Sequence, residues 1–144
     1  MKIIVNEGFP DTEVTINCPK ASDDVLNMVT LLQSLDKKLP GVKKGQTFLV
    51  DSRDVLFFDT VDKHNFIYTE DDIFDTSLRL YEIEEQLSCI GFIRCSKSVV
   101  INIAKIKSLC PDFGGRMEVT MSNGERLIVS RQYTKLLKER LGLK

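Results

Sequence analysis

Three short groups of polar and basic residues stand out in a chain that offers little other chemistry. Lys63, His64 and Asn65 follow an apolar run. Arg94, Ser96, Lys97 and Ser98 are interleaved with apolar residues in GFIRCSKSVVINIAKI, residues 91–106. Arg131 follows a second apolar run, near the end. Arginine and lysine pair with phosphates or with the guanine edge, and Asn, Ser and His hydrogen-bond to phosphates or bases. Each group alone fits a solvated loop equally well. Their recurrence at three loops points to a polyanion.

Other chemistries find little support. Neither GxGxxG nor GxxxxGK[ST] occurs, and there is no GxSxG. His64 is the one histidine, which leaves little general acid–base machinery for an enzyme. Cys18, Cys89, Cys95 and Cys110 lack CxxC spacing, so reduced, partly buried thiols are expected rather than zinc ligands. Glu70, Asp71 and Asp72 are consecutive and cannot all face one ion. No metal, cofactor or small-molecule substrate is expected.

Charge is unevenly distributed. Residues 1–90 hold nine Lys/Arg and seventeen Asp/Glu, a net of −8; residues 91–144 hold eleven and four, a net of +7. One side that faces a polyanion and another that faces elsewhere would account for this. No run approaches the ~18 apolar residues of a membrane span. MKIIVNEGFPDTE lacks the apolar core of a signal peptide, so the cytoplasm is the expected compartment.

These groups must be positioned by a mostly β fold. Residues 2–6 (KIIVN) and 12–17 (TEVTIN) suggest a leading hairpin around Gly8, Pro10 and Asp11. Leu26, Val29, Leu32, Leu35 and Leu39 recur at helical steps after the capping residue Ser22, with Pro40-Gly41 as the stop. Residues 42–46 (VKKGQ) mark a boundary, giving an N-terminal extension, residues 1–44, and a domain over residues 45–144. Short strands follow at 47–50, 55–59, 64–69 and 73–76, with 55–59 (VLFFD) central. Residues 77–87 read as a short helix with Leu78, Tyr81 and Leu87 on its apolar face, widened by Leu80 and Ile83. A strand continues through 103–109. Residues 116–122 and 125–130 form a hairpin about Asn123-Gly124, expected as a type I′ turn. Ser130 caps a last helix with Tyr133, Leu136, Leu137 and Leu141 inward.

From Gly45 to Leu143 the chain resembles the LytTR DNA-binding domain of bacterial transcription regulators. RDVLFFDTVDKHNFIYT is similar to that family's opening strand and loop, and TSLRLYEIEEQLS to its short helix. FIRCSKSVVINIAKIKSL resembles its hallmark F-x-R-x-H-[RK]-S-[FY]-[LIV]-V-N, and NGERLIVSRQYTKLLKERL its closing hairpin and helix. The resemblance implies an α+β, predominantly β fold of antiparallel sheets with short helices. It implies a sequence-specific transcription regulator that reads successive major grooves of double-stranded DNA through loops. By position, the DNA-binding candidates are Lys63, His64 or Asn65; Arg94, Ser96, Lys97 and Ser98; and Arg131. Asn102 matches an Asn that supports the loop. The chain departs from the family at Ser96, where His is usual, and at Asp59, where Glu is usual; the first puts that base contact in doubt.

The residues ahead of Gly45 are too few for the phosphoacceptor receiver of many family members, so a stand-alone regulator is expected. The resemblance further implies a homodimer on promoter direct repeats, and a membrane-bound inhibitory protein as a partner. The N-terminal extension is a candidate for dimerisation. The rival reading is a protein-interaction module with a degenerate DNA face.

Overall fold

The computed structural model describes residues 1–35 and 37–143. Its element order is α1 (Asp23–Ser34), β1 (Lys38–Lys43), β2 (Gln46–Asp51), β3 (Val55–Val61), β4 (His64–Thr69), β5 (Ile73–Thr76), α2 (Leu80–Leu87), β6 (Phe92–Arg94), β7 (Val99–Asn102), β8 (Ile106–Pro111), β9 (Met117–Met121), β10 (Arg126–Val129) and α3 (Arg131–Leu141). Seven strands form one antiparallel sheet in the order β2-β1-β5-β4-β3-β7-β6, and three form a second, β10-β9-β8. The expected α+β, mostly antiparallel architecture is what the chain adopts.

Two apolar layers flank the larger sheet. On one face Val55, Phe58, Ile67 and Val100 pack with Leu80, Ile83 and Leu87 of α2. On the other, Leu56, Phe57 and Ile101 pack with Met117, Val119 and Met121 of the smaller sheet and Leu137 of α3. A strict strand would send Leu56 and Phe57 to opposite faces. A register shift between Val55 and Phe57 inserts a bulge, so both reach the second layer. All four residues of Val55-Leu56-Phe57-Phe58 are buried, which accounts for the unbroken apolar run.

Several expectations are corrected. The leading hairpin does not form: residues 1–22 hold no strand, and their apolar side chains are exposed apart from the half-buried Ile16. Alternation shows that a segment suits a strand, not that a neighbour exists to pair with it. α1 is shorter than expected, and Leu26 and Leu35 of the expected stripe are exposed, while Val25, Met28 and Leu32 are half-buried. Leu39 belongs to β1 and is buried there. Pro40-Gly41 lies within this strand. Pro40 has no N–H, and its carbonyl accepts the Thr76 hydroxyl at 3.0 Å. Gly41 lets Phe74 close over the backbone: a Cβ there would stand 2.7 Å from Phe74 Cβ.

α2 begins at Leu80, later than expected, and buries Leu80, Ile83 and Leu87, with Tyr81 outside. In α3 Leu137 and Thr134 are buried and Leu136 is exposed. Residues 103–105 form a 3-10 turn before β8. The β9–β10 turn is not type I′, because Gly124 alone takes positive φ (89°). Met121 N–H donates to Glu125 C=O and Gly124 N–H to Met121 C=O, the pattern of a three-residue turn with a bulge. Positive φ at both central residues occurs instead at Asp62-Lys63 (50° and 67°), between β3 and β4. Of the cysteines, Cys95 is buried and Cys18 and Cys110 are exposed; the Cys89 side chain lies outside the described set.

Gly41→Ala is expected to lower unfolding stability by about 1–3 kcal/mol through overpacking against Phe74. Urea denaturation checks this: the midpoint should fall with an unchanged slope.

Candidate nucleic-acid interface

Two tight hairpins carry the first two polar groups to one end of the larger sheet. Val61 pairs with His64, so Asp62-Lys63 is a two-residue turn with Lys63 at its tip and His64 opening β4. Arg94 pairs with Val100 across β6 and β7, so residues 95–98 form the second tip. An open cleft of about 680 Å³ between them is lined by Lys63, His64, Asn65, Arg94 and Lys97, and also by Arg79 and the carboxylate of Asp75.

Backbone and side-chain hydrogen bonds fix this cleft. Thr60 N–H donates to Ser98 C=O at 2.9 Å, tying the end of β3 to the second tip. The Thr60 hydroxyl donates to Asn65 Oδ1 at 2.5 Å, and Asn65 Nδ2 donates to Leu78 C=O at 2.9 Å. Asn65 thus spends both ends of its amide holding the segment that leads into α2. That segment places Arg79 in the cleft. Arg94 is mostly buried: its guanidinium donates to Lys97 C=O at 2.9 Å and to Glu84 Oε2 at 3.2 Å. It braces the tip that presents Lys97. Ser96 Oγ accepts Ser98 N–H at 3.3 Å, a local turn contact.

Arg131 approaches from another element. Cys95 C=O accepts Ser130 N–H at 2.8 Å and the Ser130 hydroxyl at 3.3 Å. The second tip and the start of α3 are therefore joined one residue from Arg131. The Ser130 hydroxyl is used here and not to cap α3; Ser130 C=O accepts Thr134 Oγ1 instead. Gly115 lies beneath Arg131, since a Cβ there would stand 3.1 Å from Arg131 Cγ. Arg131 is not part of the cleft lining.

The remaining side chains are unengaged. Among the described residues, Lys63, His64, Arg79, Lys97 and Arg131 have no side-chain hydrogen bond or ion pair. All five are exposed. Cations left without an internal partner at adjoining tips suit a phosphate backbone. Arg79 was not among the sequence candidates. Its position just before α2 was the available signal. Asn102, expected to support the loop, is buried at the opposite end of the β6–β7 hairpin. It donates to Val55 C=O at 2.9 Å and accepts Ala104 N–H at 3.1 Å, so its bonds anchor β7 rather than residues 95–98.

Burial shapes the ionisable groups beneath the tips. Desolvation, with a further contribution from Asp59, pushes the Cys95 thiol up to about 12 against the opposing charge of Arg94. Burial also holds the Asp59 carboxyl above its ordinary value; the neighbouring Thr60 backbone opposes the rise and Glu125 adds to it.

Residues 45–142 match the LytTr DNA-binding domain. The chain belongs to the LytTr DNA-binding domain family. It is 30% identical over 145 residues to uncharacterised HTH-type transcriptional regulators of Staphylococcus aureus strains NCTC 8325 and COL, covering 99% of this chain and 98% of each of theirs. Among solved structures, it is similar to the LytTr DNA-binding domain of a Bacillus cereus protein described as a methyl-accepting/DNA response regulator. That match has a TM-score of 0.71 and 27% identity over 75% of this chain and 99% of that one. Among the described residues no two α-helices are joined by a short turn. No helix is long and apolar enough to cross a membrane.

A thiol held this high stays protonated and unreactive at pH 8. Iodoacetamide at pH 8 should alkylate Cys18 and Cys110 in the native protein and spare Cys95 until denaturant is added; peptide mass spectrometry reads the sites.

Proposed function

We propose that this DNA-binding transcription regulator acts in the cytoplasm as a homodimer on promoter direct repeats. It reads successive major grooves through the Asp62-Lys63 turn, the 95–98 tip and the start of α3. The observation that carries this reading is the set of five exposed, internally unpartnered side chains, Lys63, His64, Arg79, Lys97 and Arg131. They stand on adjoining elements tied by Thr60–Ser98 and Cys95–Ser130 hydrogen bonds.

Roles divide by what each side chain has left to offer. His64 has a free imidazole, whereas the Asn65 amide is engaged at both ends, so His64 makes the first-loop contact. Lys97 and Arg131 project base-reading or phosphate-binding groups. Lys63 and Arg79 supply phosphate neutralisation. Arg94, Ser96 and Ser98 shape the tip. The folded unit begins at β1, because Lys38–Lys43 pairs with both β2 and β5 inside the sheet; the leader before it contributes to dimerisation.

Affinity for duplex DNA should fall linearly in log K against log salt, with several counterions released. Sites selected from a random duplex pool supply the specific target. On that target Arg131→Ala should cost about 1–3 kcal/mol, and less on random duplex. Equal losses on both would make Arg131 a phosphate contact. His64→Ala should weaken binding without lowering thermal stability, and Asn65→Ala should lower both. Fluorescence anisotropy and calorimetry measure the two effects.

A further inference from the structure

The open edges of the two sheets are not alike. β6 is three residues long, β8 carries Lys107 and Pro111, and β10 opens with Arg126. Short length, charge and proline all discourage pairing with another chain. β2 has no such guard over residues 46–49 (QTFL).

The register of β2 shows which of its groups face outward. Lys44 and Gly45 take φ of 51° and 76°, a two-residue turn that makes Lys43 and Gln46 a hydrogen-bonded pair. Pairs then alternate along the ladder. Phe48 and Val50 spend their backbone groups on Gly41 and Leu39. Thr47 and Leu49 direct N–H and C=O to the open edge. The side chains there are apolar: Leu49 is 73% exposed and Phe48 41%, the latter with its ring on Phe74 at 5.5 Å. The layer that contains Val50 and Phe74 therefore ends at an uncovered Phe48.

The same chain carries a strand-like segment outside both sheets. Residues 1–19 make no backbone hydrogen bond among the described residues. Within KIIVN, residues 2–6, Ile3 and Val5 would share one side if the segment ran as a strand, and both are largely exposed (77% and 82%). Apolar β-branched residues in an extended, unpaired arm are what an open edge accepts.

We propose that residues 2–6 of one chain pair as an added strand along the β2 edge of a second copy. Thr47 and Leu49 then gain backbone partners, Ile3 and Val5 extend the apolar layer past Phe48, and the exposed Ile4 comes to the opposite face, beside Leu49. In the folded chain the arm makes no bond to its own β2. A two-fold exchange satisfies both arms and both β2 edges in a closed pair. This inference rests on the homodimer proposed above and names its interface.

Full-length variants test it by analytical ultracentrifugation. The side chains of Ile3, Val5 and Leu49 are exposed, so their substitution spares folding. Wild type should sediment as a dimer. Ile3→Asp/Val5→Asp, which spoils the arm, and Leu49→Lys, which spoils the edge, should each weaken dimerisation roughly tenfold or more. Mixed in equal amounts, the two should form a heterodimer tighter than either homodimer, because one sound arm then meets one sound edge. If both variants dimerise like wild type, the arm–edge contact is wrong and the homodimer stands on another surface. If both weaken but the mixture does not recover, the arm and the edge do not meet. If wild type is monomeric at concentrations that bind DNA, the homodimer itself falls with this inference.

Discussion

The Cys95 carbonyl is the point on which the proposed DNA-facing surface depends. It accepts both the N–H and the hydroxyl of Ser130, and so joins the 95–98 tip to the start of α3. A buried carbonyl left without a donor would cost about 1–3 kcal/mol, which makes this junction hard to open. Cys95 is itself buried, so the contact is shielded from competing water. On the other side of the tip, Thr60 and Asn65 continue the connection to Leu78. These hydrogen bonds, joined through the 95–98 tip, therefore connect the entrance of α2 to the entrance of α3.

This arrangement explains why polar residues in similar sequence settings differ in role. Arg94 and Lys97 are three residues apart in the same loop. Arg94 turns inward to Glu84 and the Lys97 carbonyl, while the Lys97 ammonium stays free. His64 and Asn65 are neighbours on β4, and strand alternation sends them to opposite faces. The residues proposed to contact DNA are thus held on strand ends by others that resemble them chemically but are already spent. Such preorganisation lowers the ordering cost of binding. It also places the weak family match at Ser96 in context, because Ser96 supports the turn rather than reaching outward.

Much of this was legible in the sequence. The strands from β2 to β5, the β9–β10 hairpin and α3 follow from apolar alternation, turn residues and helical spacing, and the hallmark passages pointed to the loops proposed to contact DNA. What escaped notice was tertiary. Alternation in residues 2–6 and 12–17 could not show that no partner strand lies within the chain. Pro40-Gly41 has the composition of a helix stop, yet Phe74 packing and the Thr76 hydroxyl make it part of a strand. Arg79 lies beside Lys63 because of the Asn65–Leu78 hydrogen bond, which no local pattern encodes. Asn102 was recognisable as structural, but its partners, Val55 and Ala104, were not.

The most direct test of the Cys95–Ser130 junction is amide hydrogen exchange of Ser130, followed by NMR in the protein without DNA. Exchange reports the free energy of the opening that exposes each amide. If the junction locks the tip to α3, the Ser130 amide should exchange as slowly as those of β3 and β7, through global unfolding. Exchange at the rate of an open loop would show that the tip and α3 move independently, and the account of a single preformed surface would be wrong.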